Sequence, residues 1–152
     1  MHISSVEQLD EIMTNLHDCP FDLDRAIFDE PTHTWTGCFL RPLWDDPRAE
    51  HRGFSILYVR SQLPVAEATL KISGVKTCTV VDNARIGRYS FNEIEPITNG
   101  VRLHFNENLD IDVEFTDAID ANYEERPLPE LCAIYRQYFL LQSGPSIETV
   151  AA

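Results

Sequence analysis

Apolar and polar residues alternate along residues 101–115, VRLHFNENLDIDVEF, on both sides of a three-residue polar turn. Strict alternation is typical of a strand with one buried face, and two such runs joined by a short turn form a β-hairpin. The pattern predicts that the apolar side chains face inward and that Asp110, Asp112 and Glu114 face water. An Asn-Gly dipeptide at positions 99 and 100 is typical of a tight turn, so another strand should end just before it.

Similar alternation and turn-forming residues predict further strands before this hairpin. We expect them at 21–29, 33–41, 54–60 and 86–94, and at 66–81 we expect two strands that meet at Ser73-Gly74 or bend through it. Residues 41–53 contain two prolines, a glycine and mixed charges, which indicates a long loop. Because no helical pattern separates the strands, they should follow one another as an antiparallel meander.

One helix is predicted at each end of the chain. Ser4 and Ser5 each begin a capping-box pattern, and apolar residues recur on one face as far as Leu16, so the first helix should end near Asp18. Apolar residues also recur at helical spacing near the C-terminus and predict a second helix over 129–142. These residues are Leu131, Ile134, Tyr135, Tyr138 and Leu141.

The predicted fold class is therefore α+β and mainly β. We expect an antiparallel meander of seven to eight strands, curled into a sandwich, roll or incomplete barrel and flanked by the two helices. At 152 residues, the chain is long enough to bury a single core, which we assign to one domain over 1–142. Residues 143–152 are predicted to form a disordered tail.

The sequence has neither a basic, apolar leader nor an apolar run long enough to span a bilayer, which indicates a cytoplasmic protein. Its four cysteines are 19, 40 and 54 residues apart and form no C-x-x-C pair. We therefore expect them to be reduced, mostly buried thiols.

The net charge of −13 is unevenly distributed. Residues 1–30 carry eight acidic residues and one basic residue, whereas residues 31–106 carry seven acidic and nine basic ones. The resulting negative electrostatic field repels nucleic acid and anionic membranes and attracts cationic proteins. The alternative is that the charge only keeps the protein in solution.

Catalytic and metal-binding patterns are weak. There is no Gly-x-Ser-x-Gly elbow or glycine-rich phosphate loop, so we predict no catalytic residue, no cofactor and no metal. The pair His17-Asp18 fits the end of a helix better than a metal-dependent hydrolase. Asp29, Glu30 and His33 contain potential metal ligands, but a β-turn uses the same residues for hydrogen bonds.

The loop 41–53 combines arginine with aromatic character, as recognition surfaces do. We predict that it forms a binding site whose members are Arg41, Trp44, Arg48, His51 and Arg52. An equally weighted alternative is that Trp44 anchors the loop on the sheet while the arginines neutralise nearby carboxylates.

Three segments carry a family resemblance: Leu16-His17-Asp18 with the strand that follows it, residues 70–75 (LKISGV), and residues 89–94 (YSFNEI). In these segments the chain resembles small bacterial β-rich proteins of unknown function that open with a Leu-His-Asp step, including predicted immunity proteins of toxin systems. The resemblance implies a binding protein without a cofactor, and it attaches no catalytic role to the His-Asp step.

Our first functional interpretation is a non-catalytic protein-interaction module, with an immunity-type inhibitor of a cationic toxin as its most specific form. The alternative is a small-molecule binding or hydrolytic protein whose site lies inside the curled sheet and uses His33, His104 or Asp29. A further possibility is a homodimer packed through the C-terminal helix by Tyr135, Tyr138, Phe139 and Leu140.

Overall fold

One α-helix and ten β-strands make up the part of the chain that the structure describes. This computed structural model covers residues 1–54, 59–138 and 141–150, with the backbone alone for residues 51–54. The helix is α1 (Val6–Thr14). The strands are β1 (His2–Ile3), β2 (Pro20–Asp22), β3 (Ile27–Asp29), β4 (Thr34–Pro42), β5 (Glu50–Phe54), β6 (Val59–Asp82), β7 (Arg88–Ile97), β8 (Gly100–Phe105), β9 (Leu109–Tyr138) and β10 (Leu141–Thr149).

Six antiparallel strands close into a barrel. Strands β9, β8, β7, β2, β4 and β6 are neighbours in that order, and β6 pairs again with β9. The other strands add to this ring: β1 and β10 pair with β9, β3 pairs with β4, and β5 pairs with β6. The predicted sandwich, roll or incomplete barrel is wrong, because the pairing of β6 with β9 closes the sheet on itself.

The chain divides into two compact units. The first, which we call the barrel unit, comprises residues 1–39 and 68–124, and the second, the small unit, comprises residues 40–67 and 125–152. Strands β4, β6 and β9 contribute residues to both units. The assignment of residues 1–142 to a single domain stays a prediction, and β10 occupies most of the segment predicted as a tail.

Aromatic side chains fill the core of the barrel unit. Phe21, Phe39, Phe91 and Phe105, from four different strands, are all buried, and their ring centroids lie 4.5–6.4 Å apart. Trp35 is also buried, and a Cβ at Gly37 would overlap its indole ring. Among the described residues no polar or charged residue is buried, so this interior is held by apolar packing.

The predicted hairpin is confirmed. Strand β8 pairs with β9 from Val101 opposite Val113 to Phe105 opposite Leu109, and residues 106–108 form the turn. Two turn residues, Glu107 and Asn108, have positive φ angles of 64° and 60°. The apolar side chains of 101–113 point inward as the alternation predicts, and the carboxylates on β9 lie on the outer face.

The N-terminal helix is confirmed, but it ends at Thr14 instead of near Asp18. Ser5 is the N-cap residue, and its hydroxyl accepts a hydrogen bond from the backbone N–H of Gln8 at 3.2 Å. The Gln8 side chain in turn accepts from the backbone N–H of Ser4 at 2.9 Å. Leu9, Ile12 and Met13 are buried, so the apolar face of α1 belongs to the core.

The predicted C-terminal helix over 129–142 is wrong. Residues 129–138 belong to β9 and residues 141–142 begin β10, which pairs antiparallel with β9. Four consecutive residues, Cys132 to Tyr135, are buried, so this part of the strand is covered on both faces. A short apolar run of this kind does not distinguish a helix from a strand, and the helical spacing around it was coincidental.

The remaining strand predictions are confirmed in part. The strand predicted at 21–29 is split into β2 and β3 by a 3-10 turn at Leu23–Arg25. Residues 66–81, predicted as two strands that meet at Ser73-Gly74 or bend through it, lie within the single strand β6, where Gly74 has a positive φ of 68°. Residues 55–58 of the strand predicted at 54–60 lie outside the described residues.

Candidate functional site

Arg41, the first member of the predicted binding site, lies near the end of β4 and forms an internal ion pair. Its Nε and Nη2 atoms donate to the two carboxylate oxygens of Glu125, each at 2.8 Å. A bidentate arginine–carboxylate pair is geometrically specific and uses the donors that a partner's carboxylate would need. Arg41 therefore fixes β4 to the start of the C-terminal segment of the small unit.

Trp44 has features of a loop anchor and of an exposed member of a binding site. Its ring lies 4.6 Å from the ring of Tyr135, measured between centroids, with the planes tilted by 46°. The residue is nevertheless 48% exposed. One part of the indole thus packs on buried Tyr135, while the rest is accessible to a partner.

Arg48 is held within its own loop by Asp46. Its Nε and Nη2 atoms donate to the Asp46 carboxylate at 2.9 and 2.8 Å, and its backbone N–H donates to the same carboxylate at 2.8 Å. These hydrogen bonds from Arg48 lower the pKa of Asp46 to about 2. The two other predicted members, His51 and Arg52, lie on β5 opposite Ser61 and Arg60 of β6, and their side chains lie outside the described part.

Arg48 also lines a cleft of about 220 Å³ in the small unit. Polar residues Arg48, Glu50 and Gln62 form one part of its wall, and apolar residues form the rest. The apolar residues are Leu63, Pro64, Val65, Pro127, Leu128, Pro129, Leu131, Cys132 and Val150. The volume is below the roughly 300–1,000 Å³ typical of small-molecule pockets.

Cys132 is the buried thiol in the wall of this cleft. Burial raises the pKa of Cys132, the charge of Glu148 raises it further, and the charge of Arg60 opposes them. A raised pKa keeps the thiol protonated and therefore a poor nucleophile. Cys132 is therefore not an activated nucleophile in this cleft.

The barrel unit carries most of the negative charge. It contains 18 acidic and 6 basic residues, whereas the small unit contains 7 acidic and 6 basic ones. Within the barrel unit, residues 7–30 form what we call the acidic segment, which includes the solvent face of α1. Five of its carboxylates are exposed and, among the described residues, form no ion pair with a basic side chain: Glu7, Asp10, Glu11, Asp24 and Glu30.

Asp110 and Asp112, on the outer face of β9, differ, because they have basic partners. Asp112 accepts two hydrogen bonds from Arg102 at 2.6 and 2.8 Å, and this pairing lowers the pKa of Asp112. Asp110 lies 2.7 Å from Nδ1 of His104, whose Nε2 lies 3.1 Å from Glu95 of β7. Burial alone lowers the pKa of His104, but hydrogen bonds with the two carboxylates outweigh it, so the net pKa is raised.

The residues considered for metal or acid–base chemistry contact other groups of the protein. Thr32 donates to Asp29 at 2.5 Å, and Nδ1 of His33 lies 3.2 Å from the backbone oxygen of Val75. His17 and Asp18 are exposed, with 3.1 Å between imidazole and carboxylate. In the described part of the chain, no three histidine, cysteine or acidic side chains are placed to hold a metal ion.

No protein-family model, curated protein or solved structure matches this chain. The resemblance to small bacterial β-rich proteins therefore stays a prediction. Within the described residues, no helix has the length and apolar character needed to cross a membrane.

Sequence reasoning missed most of the cleft. Its walls come from residues 48–50, 62–65 and 127–132 and from Val150, which are far apart in sequence. Of its residues, the sequence predicts only Arg48 as a member of a binding site, because arginine close to tryptophan is a local pattern. No local signal could have brought Pro127 or Cys132 to the same place.

Proposed function

We propose that this protein is a non-catalytic interaction module that binds a basic protein partner through the acidic segment, residues 7–30. An inhibitor that neutralises a cationic toxin is the most specific form of this function, in line with the resemblance described above. The observation that supports it best is the contrast between the two sets of carboxylates. Asp112 and Asp110 on β9 are paired with Arg102 and His104, whereas Glu7, Asp10 and Glu11 project from α1 without a basic partner among the described residues.

Unpaired surface carboxylates favour a partner of opposite charge. Their field accelerates encounter with a cationic surface, and like-charged surfaces are rejected. The apolar face of the same helix is buried in the barrel core, which fixes the carboxylates on a rigid element. Preorganised charges of this kind lose little conformational entropy on binding.

The alternative of a site inside the sheet has less support. The core of the barrel unit is apolar, and the three residues named for that site lie outside it. His33 is exposed, and Asp29 and His104 are half-buried and engaged in the contacts described above.

The proposal is tested by neutralising three carboxylates of α1 together, in the variant Glu7→Gln, Asp10→Asn, Glu11→Gln. The probe is an arginine-rich peptide, titrated at low ionic strength, where charge attraction is least screened. We expect affinity to fall about tenfold, because three attractive charges are removed at the contact.

A matched control changes the net charge equally elsewhere, in the variant Glu93→Gln, Asp117→Asn, Glu124→Gln, whose residues are all exposed. We expect this control to bind nearly as the unchanged protein does. Equal loss in the two variants would mean that only the net charge attracts the peptide, and the proposed surface would be rejected.

A further inference from the structure

A second charged cluster lies in the small unit, where three strands bring two arginines to one carboxylate. Nη2 of Arg60, on β6, lies 3.8 Å from Oε2 of Glu148, on β10. Nη2 of Arg136, on β9, lies 3.8 Å from Oε1 of the same carboxylate. Ser146 also donates to this carboxylate, at 3.3 Å, and thereby helps to position Glu148 between the guanidinium groups.

The two arginines are incompletely satisfied. A separation of 3.8 Å exceeds hydrogen-bond range, so Glu148 attracts both guanidinium groups without accepting a hydrogen bond from either. Nε of Arg60 is buried and has no hydrogen-bond partner among the described residues. Arg41, Arg48 and Arg102, in contrast, each donate two hydrogen bonds to one carboxylate at 2.6–2.9 Å.

Two positive charges beside one negative charge leave an excess of one positive charge. An oxyanion compensates this excess, because guanidinium groups on side chains that are 43% and 37% exposed can donate hydrogen bonds to its oxygen atoms. A neutral or cationic ligand does not compensate it. The chemistry of the cluster therefore selects phosphate or carboxylate groups.

We infer that Arg60 and Arg136 form an oxyanion-binding site in the small unit, with Glu148 as the internal group that occupies it in the absence of a ligand. The site lies outside the acidic segment. The inference does not depend on the function proposed for the acidic segment.

The test follows the side-chain Nε–Hε signals of the arginines by NMR while inorganic phosphate is added at constant ionic strength. We expect the signals of Arg60 and Arg136 to shift and saturate, and that of Arg126 to stay in place. Arg126 is the matched control, because it is an exposed arginine of the same unit with one hydrogen-bonded carboxylate partner, Glu67, at 3.0 Å. A parallel titration with acetate distinguishes a carboxylate source from a phosphate source.

Two variants examine the roles of the residues. Arg60→Gln should weaken phosphate binding about tenfold, the effect of losing one charged hydrogen bond. Glu148→Gln should tighten it several-fold, because the competing internal charge is removed while the shape is kept. The inference is overturned if neither anion shifts the two signals, if Arg126 shifts equally, or if Glu148→Gln weakens binding.

Discussion

The barrel unit and the small unit differ both in core and in charge. Among the residues whose side chains the structure describes, the buried core cluster of the barrel unit has 23 members and that of the small unit has four. The first unit has a net charge of −12 and the second of −1. Since apolar burial dominates folding free energy, the barrel unit should be the stable scaffold and the small unit the part that opens more easily.

The two units also differ in how completely their charged side chains are paired. Carboxylates outnumber basic groups threefold in the barrel unit, so many necessarily face water without a partner. In the small unit the numbers nearly balance, and three of the five arginines whose side chains are described form hydrogen-bonded pairs with carboxylates. An arginine without a hydrogen-bonded carboxylate in the small unit is therefore a stronger indication of a binding site than an unpaired carboxylate in the barrel unit.

The largest expected effect is that of truncating an aromatic residue in the barrel core. Phe39→Ala should lower the free energy of unfolding by about 3–5 kcal/mol, because it leaves a cavity among Phe21, Phe91 and Phe105. Denaturant unfolding measures the change. Ile27→Ala, at a residue of the same unit that is 59% exposed, is the control and should cost less than about 0.5 kcal/mol.

A smaller effect is expected for the matching truncation in the small unit. Trp44→Ala should cost about 1 kcal/mol, because the ring contact with Tyr135 is lost but half of the indole is already exposed. The same unfolding experiment applies. A loss as large as that of Phe39→Ala would contradict the contrast between the units and would make Trp44 chiefly an anchor of its loop.

The smallest effect is the pH dependence contributed by His104. Its folded pKa is raised above the ordinary 6.5, so its contribution to stability is complete below pH 6.5 and is lost as pH rises through the folded pKa. We expect the free energy of unfolding of the unchanged protein to exceed that of His104→Gln by about 0.5 kcal/mol at low pH. The two values should approach each other at high pH.

Unfolding curves of both proteins across this pH range measure the difference. His17→Gln, at an exposed histidine of the same unit, is the control for a general effect of removing an imidazole. A difference between unchanged protein and His104→Gln that grows with rising pH would contradict the assigned sign.

Local patterns explain which parts of the fold were predictable. The hairpin at 101–115 was predicted because alternation and the turn lie within fifteen consecutive residues. The C-terminal helix over 129–142 was predicted wrongly. The strand there is buried on both faces from Cys132 to Tyr135, and a short apolar run of this kind is compatible with a helix as well as with a strand. Barrel closure depends on the pairing of β6 with β9, which no local pattern records.

The same limit applies to the candidate sites. The acidic segment was visible as a run of charges, since its members are close in sequence. Arg60, Arg136 and Glu148 meet only because β6, β9 and β10 come together, and Glu148 lies in a segment predicted to be disordered. Such convergence becomes apparent only from the folded chain.

Ring closure has a kinetic consequence. Phe21 of β2 is paired with Tyr89 of β7, and His2 of β1 with Asn122 of β9, so the ladders join residues from opposite halves of the chain. Chains rich in such distant pairings have high contact order and fold on a time scale of about milliseconds to seconds. During synthesis, the N-terminal strands must wait for β7 and β9 to emerge before the barrel can form.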